Sequence, residues 1–138
     1  MKSWLIWTAC GTLLVLAVSG SVQALPKFRQ AFEKRYVDAA KNADFAEAVK
    51  KEGCNVCHVK GEQKSVRNAY GKVLADLIPG DAQERLKAAG DNKAAEEEKL
   101  LKELEEAFTK AEKRPVNGKD GETFGDRIKA GKLPAGDQ

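Results

Sequence analysis

Residues 54–58 read Cys-Asn-Val-Cys-His, and three of these five side chains carry a reactive sulfur or nitrogen. Two thiols three positions apart can each add to one of the two vinyl groups of a single haem. An imidazole directly after the second thiol then sits under the iron and supplies an axial nitrogen. His58 is the only histidine of the chain, and Cys10 is the only cysteine besides Cys54 and Cys57. The spacing predicts one covalently bound haem c, with Cys54 and Cys57 as the thioether positions and His58 as the metal ligand.

Three other chemistries use similar residues. A thioredoxin-like redox pair needs a βαβ setting, which the pattern here lacks. A zinc site needs four ligands, and no further Cys or His follows the motif. A structural disulfide closing so short a loop constrains little of the unfolded chain.

The N-terminus bears on compartment. Residues 1–24 read as a secretory signal peptide: Lys2 starts it, an apolar run from Trp4 to Val18 follows, and small residues lead to cleavage after Ala24. The run is shorter than the ~20 residues of a spanning helix, so a retained anchor is the weaker reading. Lipidation at Cys10 is weaker still, because Cys10 lies inside the apolar run and Trp7 stands where a lipobox usually has Leu. Haem c is attached outside the bacterial cytoplasmic membrane, so export and the motif support each other. The expected location is the periplasm, with no stable membrane insertion after cleavage.

Residues 25–138 then form one small domain with few aromatic residues and a modest core. A macrocycle held by two sulfurs adds apolar bulk to such a core. Lys plus Arg exceeds Asp plus Glu only slightly, 24 against 21, which gives no nucleic-acid footprint. The excess is compatible with weak docking to an acidic redox partner in the periplasm.

The elements that must position the motif are helical, and no stretch alternates like a half-buried strand. Apolar spacing predicts helices from Pro26 to about Lys41, Asp44 to Lys51, Ser65 to Ile78, and Ala82 to Ala89. A long charged helix follows over about 93–113, and a last one spans about Glu122 to Ala130. Glu96, Glu97 and Glu98 load the start of the long helix and Lys110 and Lys113 its end, which suits the helix dipole. Its stripe of Leu100, Leu101, Leu104, Ala107, Phe108 and Ala111 reads as internal packing or, at near-heptad spacing, as a dimer or partner seam. The loop 117–122 is too short for an EF-hand calcium site. The fold class is all-α, a small bundle of about five helices around one haem.

The middle of the chain resembles a class I-type monohaem cytochrome c domain. The likeness rests on Cys54-Asn55-Val56-Cys57-His58, the amphipathic helix before it, and Asn68-Ala69-Tyr70-Gly71 after it. The whole mature chain, including Thr123 to Pro134, also resembles small exported cytochrome-c-like bacterial proteins of undefined role. The resemblance implies that Cys54 and Cys57 carry the thioethers and that His58 bonds the iron. It implies that backbone near Asn68 accepts a hydrogen bond from the other His58 nitrogen, with Asn68 and Tyr70 near the cofactor. The chain departs from the family at the sixth iron position. Met1 is the only methionine and belongs to the signal, so neither Met/His nor bis-His ligation is possible. That position is open, water-bound, filled by a partner, or held by a Lys (Lys60, Lys64 or Lys72), Tyr70 or an Asn. Loss of a thioether ligand lowers the expected potential.

The expected activity is one-electron transfer between periplasmic partners, without enzymatic bond chemistry. The alternatives are small-ligand binding or sensing at an open distal site, and a haem-bearing interaction module of a larger complex.

Overall fold

The computed structural model describes residues 25–118 and 121–136. The expected signal, its cleavage site after Ala24, and Cys10 lie outside the described residues.

The described chain is all-α, with isolated backbone bridges but no strand. Six helices follow one another. Helix α1 covers 26–40: it is α-helical over Pro26–Phe32, π-helical over Glu33–Val37 and α-helical again over Asp38–Ala40. Pro26 opens it, where a missing N–H costs nothing. Helix α2 is Ala43–Glu52, capped by Asn42 Oδ1, which accepts from Phe45 N at 3.0 Å. Helices α3 (Ala69–Leu77), α4 (Ala82–Ala88) and α5 (Lys93–Ala111) follow, and α6 (Phe124–Lys129) closes the fold. Each of the six stretches for which apolar spacing predicts a helix contains one, so the expected bundle of about five has six.

Three boundaries differ from the sequence expectation by two residues or more. Helix α3 starts at Ala69 rather than Ser65, because Asn68 caps it and the residues before pair with the His58 segment. Helix α5 stops at Ala111 rather than near 113, because Pro115 cannot continue a helix and the chain turns through Arg114 N→Ala111 O at 2.9 Å. Helix α6 starts at Phe124 rather than Glu122, because Thr123 and Asp126 form a capping box. The π segment inside α1 was not anticipated: apolar spacing over so short a stretch does not separate 3.6 from 4.4 residues per turn.

Helix α5 is the spine of the bundle, packing against α1, α3 and α4. Its stripe of Leu100, Leu104, Ala107, Phe108 and Ala111 is buried within the chain at 0–1 % exposure. These five pack internally, and Leu101, the remaining residue of that stripe, is half-buried against the same core. Phe32, Tyr36 and Phe108 meet edge-on or tilted, with ring centroids 4.9–6.0 Å apart. No helix among the described residues is long and apolar enough to cross a membrane.

Candidate cofactor site

Helix α2 delivers the motif. Its apolar face buries Phe45 and Val49, and Gly53 ends it at φ +56°, a left-handed conformation that glycine adopts freely. Residues Gly53–Val56 then form a 3-10 turn. The carbonyl of Cys54 accepts from Cys57 N at 3.2 Å and from His58 N at 3.1 Å. The tight turn brings Cys54, Cys57 and His58 to one cleft.

Two features hold that turn. Asn68 is the one buried residue with a wholly polar side chain among the described residues. Its Nδ2 donates to the carbonyls of Asn55 and Val56, both at 3.0 Å, and its Oδ1 accepts from Gly71 N at 2.9 Å. Its own backbone N–H donates to the Cys57 carbonyl at 3.0 Å. Gly71 is the second feature. A Cβ there would lie 1.9 Å from the Cys57 carbonyl oxygen, so only glycine lets α3 approach the motif this closely. The Asn68-x-x-Gly71 spacing thus has a mechanical reason: the asparagine caps α3 and grips the motif, and the glycine makes room for it.

His58 is fixed from the other side. It forms an antiparallel bridge with Arg67, and Val59 N donates to the Val66 carbonyl at 3.1 Å. Burial, the Lys64 ammonium and the Arg67 guanidinium lower its proton affinity below the usual 6.5, partly opposed by the Val66 carbonyl. The imidazole is therefore neutral at neutral pH, the form that binds a metal. Its Nδ1 is buried without a hydrogen-bond partner. The hydrogen bond expected from this nitrogen to backbone near Asn68 is therefore not formed; the Val66 carbonyl, two residues before Asn68, is the backbone group that raises the ring's proton affinity.

The two thiols are not bridged to each other. Burial pushes the Cys57 thiol up to about 12, and the neighbouring Cys54 adds to this. A redox-active pair needs the reverse, a thiol lowered toward the thiolate. No group of three or more His, Cys, Asp or Glu side chains is placed to hold a metal ion among the described residues.

The cleft has a volume of about 550 Å³, within the roughly 300–1,000 Å³ range of cofactor sites. Phe28 and Phe32 of α1, Leu74 of α3, and Leu104 and Phe108 of α5 give it apolar walls. Arg29, Lys64 and Arg67 also line it, with Asp81 the one acidic residue. Arg29 pairs with Glu33 at 2.8 Å, Arg67 with Asp81 at 3.5 Å, and Lys64 donates to Asn55 Oδ1 at 3.2 Å. An apolar slot, two sulfurs and one neutral imidazole at its wall, and cations along it fit a haem with its two carboxylates.

Tyr70 is placed elsewhere. It is fully buried in the core, 5.2 Å from Phe124 and 6.0 Å from Phe32 between ring centroids, and does not line the cleft. Burial raises its phenol well above the ordinary 10.0. Lys60 and Lys72 do not line the cleft either; Lys64 does. Sequence reading missed Arg29, Arg67 and the segment 78–83, which reach the cleft through tertiary packing alone. Comparison with protein-family profiles, with curated proteins and with solved structures gives no match.

Proposed function

We propose that this protein is an exported one-electron carrier holding one haem c, with thioethers at Cys54 and Cys57 and His58 as axial ligand. The observation carrying this reading is the meeting of both sulfurs and the only imidazole in one apolar cleft of suitable volume. When bound, a haem supplies an iron that alternates between ferric and ferrous. The residues do the rest. Asn68 and Gly71 keep the motif backbone in place, so His58 need not reorganise when iron changes charge. Phe28, Phe32, Leu104 and Phe108 exclude water along the walls, and Arg29, Lys64 and Arg67 offset the carboxylates. The same cations would orient an acidic partner protein in the periplasm at a small, transient contact.

A second reading has its own support: no methionine and no second histidine lines the cleft. A haem held by Cys54, Cys57 and His58 would then be open to a small ligand, which the protein would sense or store. A peroxidase lacks the distal histidine acid/base it would need.

The visible spectrum of exported protein, oxidised and reduced, with and without CO, separates the two. Rapid formation of a ferrous CO complex with negligible electron exchange favours ligand binding. A low-spin spectrum that resists CO, with fast exchange to small redox partners, favours electron transfer. A colourless protein contradicts both.

A further inference from the structure

The turn between α5 and α6 carries a chemistry that the cofactor reading does not use. An isolated antiparallel bridge between Pro115 and Thr123 closes it. Val116 N donates to the Glu122 carbonyl and Phe124 N to the Arg114 carbonyl, both at 3.0 Å. Asn117 and Gly118 lie inside the closed loop and are exposed. Gly118 has φ +65°, a conformation that glycine adopts freely, and a Cβ there would meet nothing within 4 Å. Its N–H reaches the Pro115 carbonyl only at 3.4 Å, longer than the roughly 2.7–3.2 Å of an ordinary N–H···O bond. Asparagine is a heat-labile side chain, because the next backbone nitrogen can attack its amide carbon and close a five-membered ring. That attack is least hindered where the next residue has no Cβ. The chain has five asparagines, Asn42, Asn55, Asn68, Asn92 and Asn117, and only Asn117 precedes a glycine. Three of the others are held by their side-chain oxygens: Asn42 accepts from Phe45 N, Asn55 from Lys64 and Asn68 from Gly71 N. Asn92 leads directly into α5, so the nitrogen that would attack it belongs to the helix start.

We propose that Asn117 is a modification site: it loses its amide through Gly118 and gives the protein an acidic form that accumulates with age. The Gly118 nitrogen bonds to Asn117 Cγ, its proton passes to water, and the side-chain nitrogen leaves as ammonia. Water then opens the ring at either carbonyl. Opening at Cγ yields aspartate; opening at the backbone carbonyl yields an isoaspartyl link, which adds one methylene to the main chain. One water enters and one ammonia leaves, and nothing is oxidised or reduced. Either product carries one more negative charge. The isoaspartyl product also lengthens a loop that is closed next to Thr123, the N-cap of α6. None of this depends on the haem.

The test ages the purified protein at mildly alkaline pH and follows it by ion exchange, intact mass and peptide mapping. The expected product is a more acidic species about one dalton heavier, with the change confined to Asn117. Gly118→Ala should slow its appearance about tenfold, because a Cβ crowds the attacking nitrogen and strains the left-handed turn. Asn117→Gln, which would have to close a six-membered ring, should show no conversion at that position and covers the case in which Gly118→Ala fails to fold. Conversion at Asn117 only after unfolding in urea overturns the proposal, since the folded loop would then shield the reaction. Equal rates in the parent and a folded Gly118→Ala variant overturn the route through Gly118.

Discussion

At Asn68 one amide serves three backbone groups, two carbonyls of the 54–58 motif and the first turn of α3. Truncating it to Ala leaves buried carbonyls without a donor and removes a helix cap. The expected loss is about 2–4 kcal/mol, read as a lower urea midpoint at constant slope. Gly71→Ala forces a Cβ into the Cys57 carbonyl and should cost about 3 kcal/mol or more, since backbone rather than a flexible side chain must move. An unchanged midpoint in both variants would mean the motif is not held as described. On the proposed haem reading, His58→Ala should turn the spectrum high-spin or yield an unstable holoprotein; an absorption spectrum identical to the parent would contradict His58 as an iron ligand. Cys54, Cys57 and His58 stand out in the sequence because they fall within five positions, and the structure sets all three on one cleft. The true role of Asn68 was only half legible. Its spacing to Gly71 showed in the sequence, but its partners Asn55 and Val56 lie 12 to 13 positions away.

Among the elements, α2 and α5 were readable from apolar spacing and charge order. The breaks in the pattern were not. The π segment Glu33–Val37 carries Arg35 and Tyr36 toward α5, where Tyr36 Oη donates to Glu112 at 2.8 Å and Arg35 to Glu105, Thr109 and Glu112. Those partners are more than sixty residues downstream, so no local window reveals them. Burial and the Glu112 carboxylate both raise the Tyr36 phenol above its usual range. Tyr36→Phe should cost about 1 kcal/mol, because Arg35 still satisfies Glu112; a loss several times larger would show that the phenol, not the guanidinium, joins the two helices. At α6 the capping box sets a pH window. The Thr123 hydroxyl and backbone N–H hold the Asp126 carboxyl below the ordinary 3.8. A depressed folded value adds stability that is fully present above the unfolded value and fades as pH falls through the folded one. The Tm difference between the parent and Asp126→Asn should therefore be constant above about pH 5 and shrink toward pH 2. A difference that grows on acidification would contradict the box.

Across the whole molecule, a short chain with few aromatic residues surrounds a slot of about 550 Å³. On the proposed haem reading, an apolar macrocycle in that slot would extend the core and couple folding to cofactor attachment. The Cys54→Ser/Cys57→Ser double variant should be exported with little or no colour and melt well below the parent; equal melting temperatures would mean the slot contributes nothing to stability. The all-α class and the place of the motif after α2 could be read from sequence. The shape of the slot could not, since Arg29, Arg67 and the segment 78–83 come together only when α5 gathers the other helices. The most direct measurement is the intact mass of protein recovered from the periplasm, taken with its pyridine haemochrome spectrum. The expected species is the polypeptide from residue 25 onward plus one haem, coloured and haemochrome-positive. A colourless species with the mass of the polypeptide alone would contradict the assignment of Cys54, Cys57 and His58 to a covalent haem.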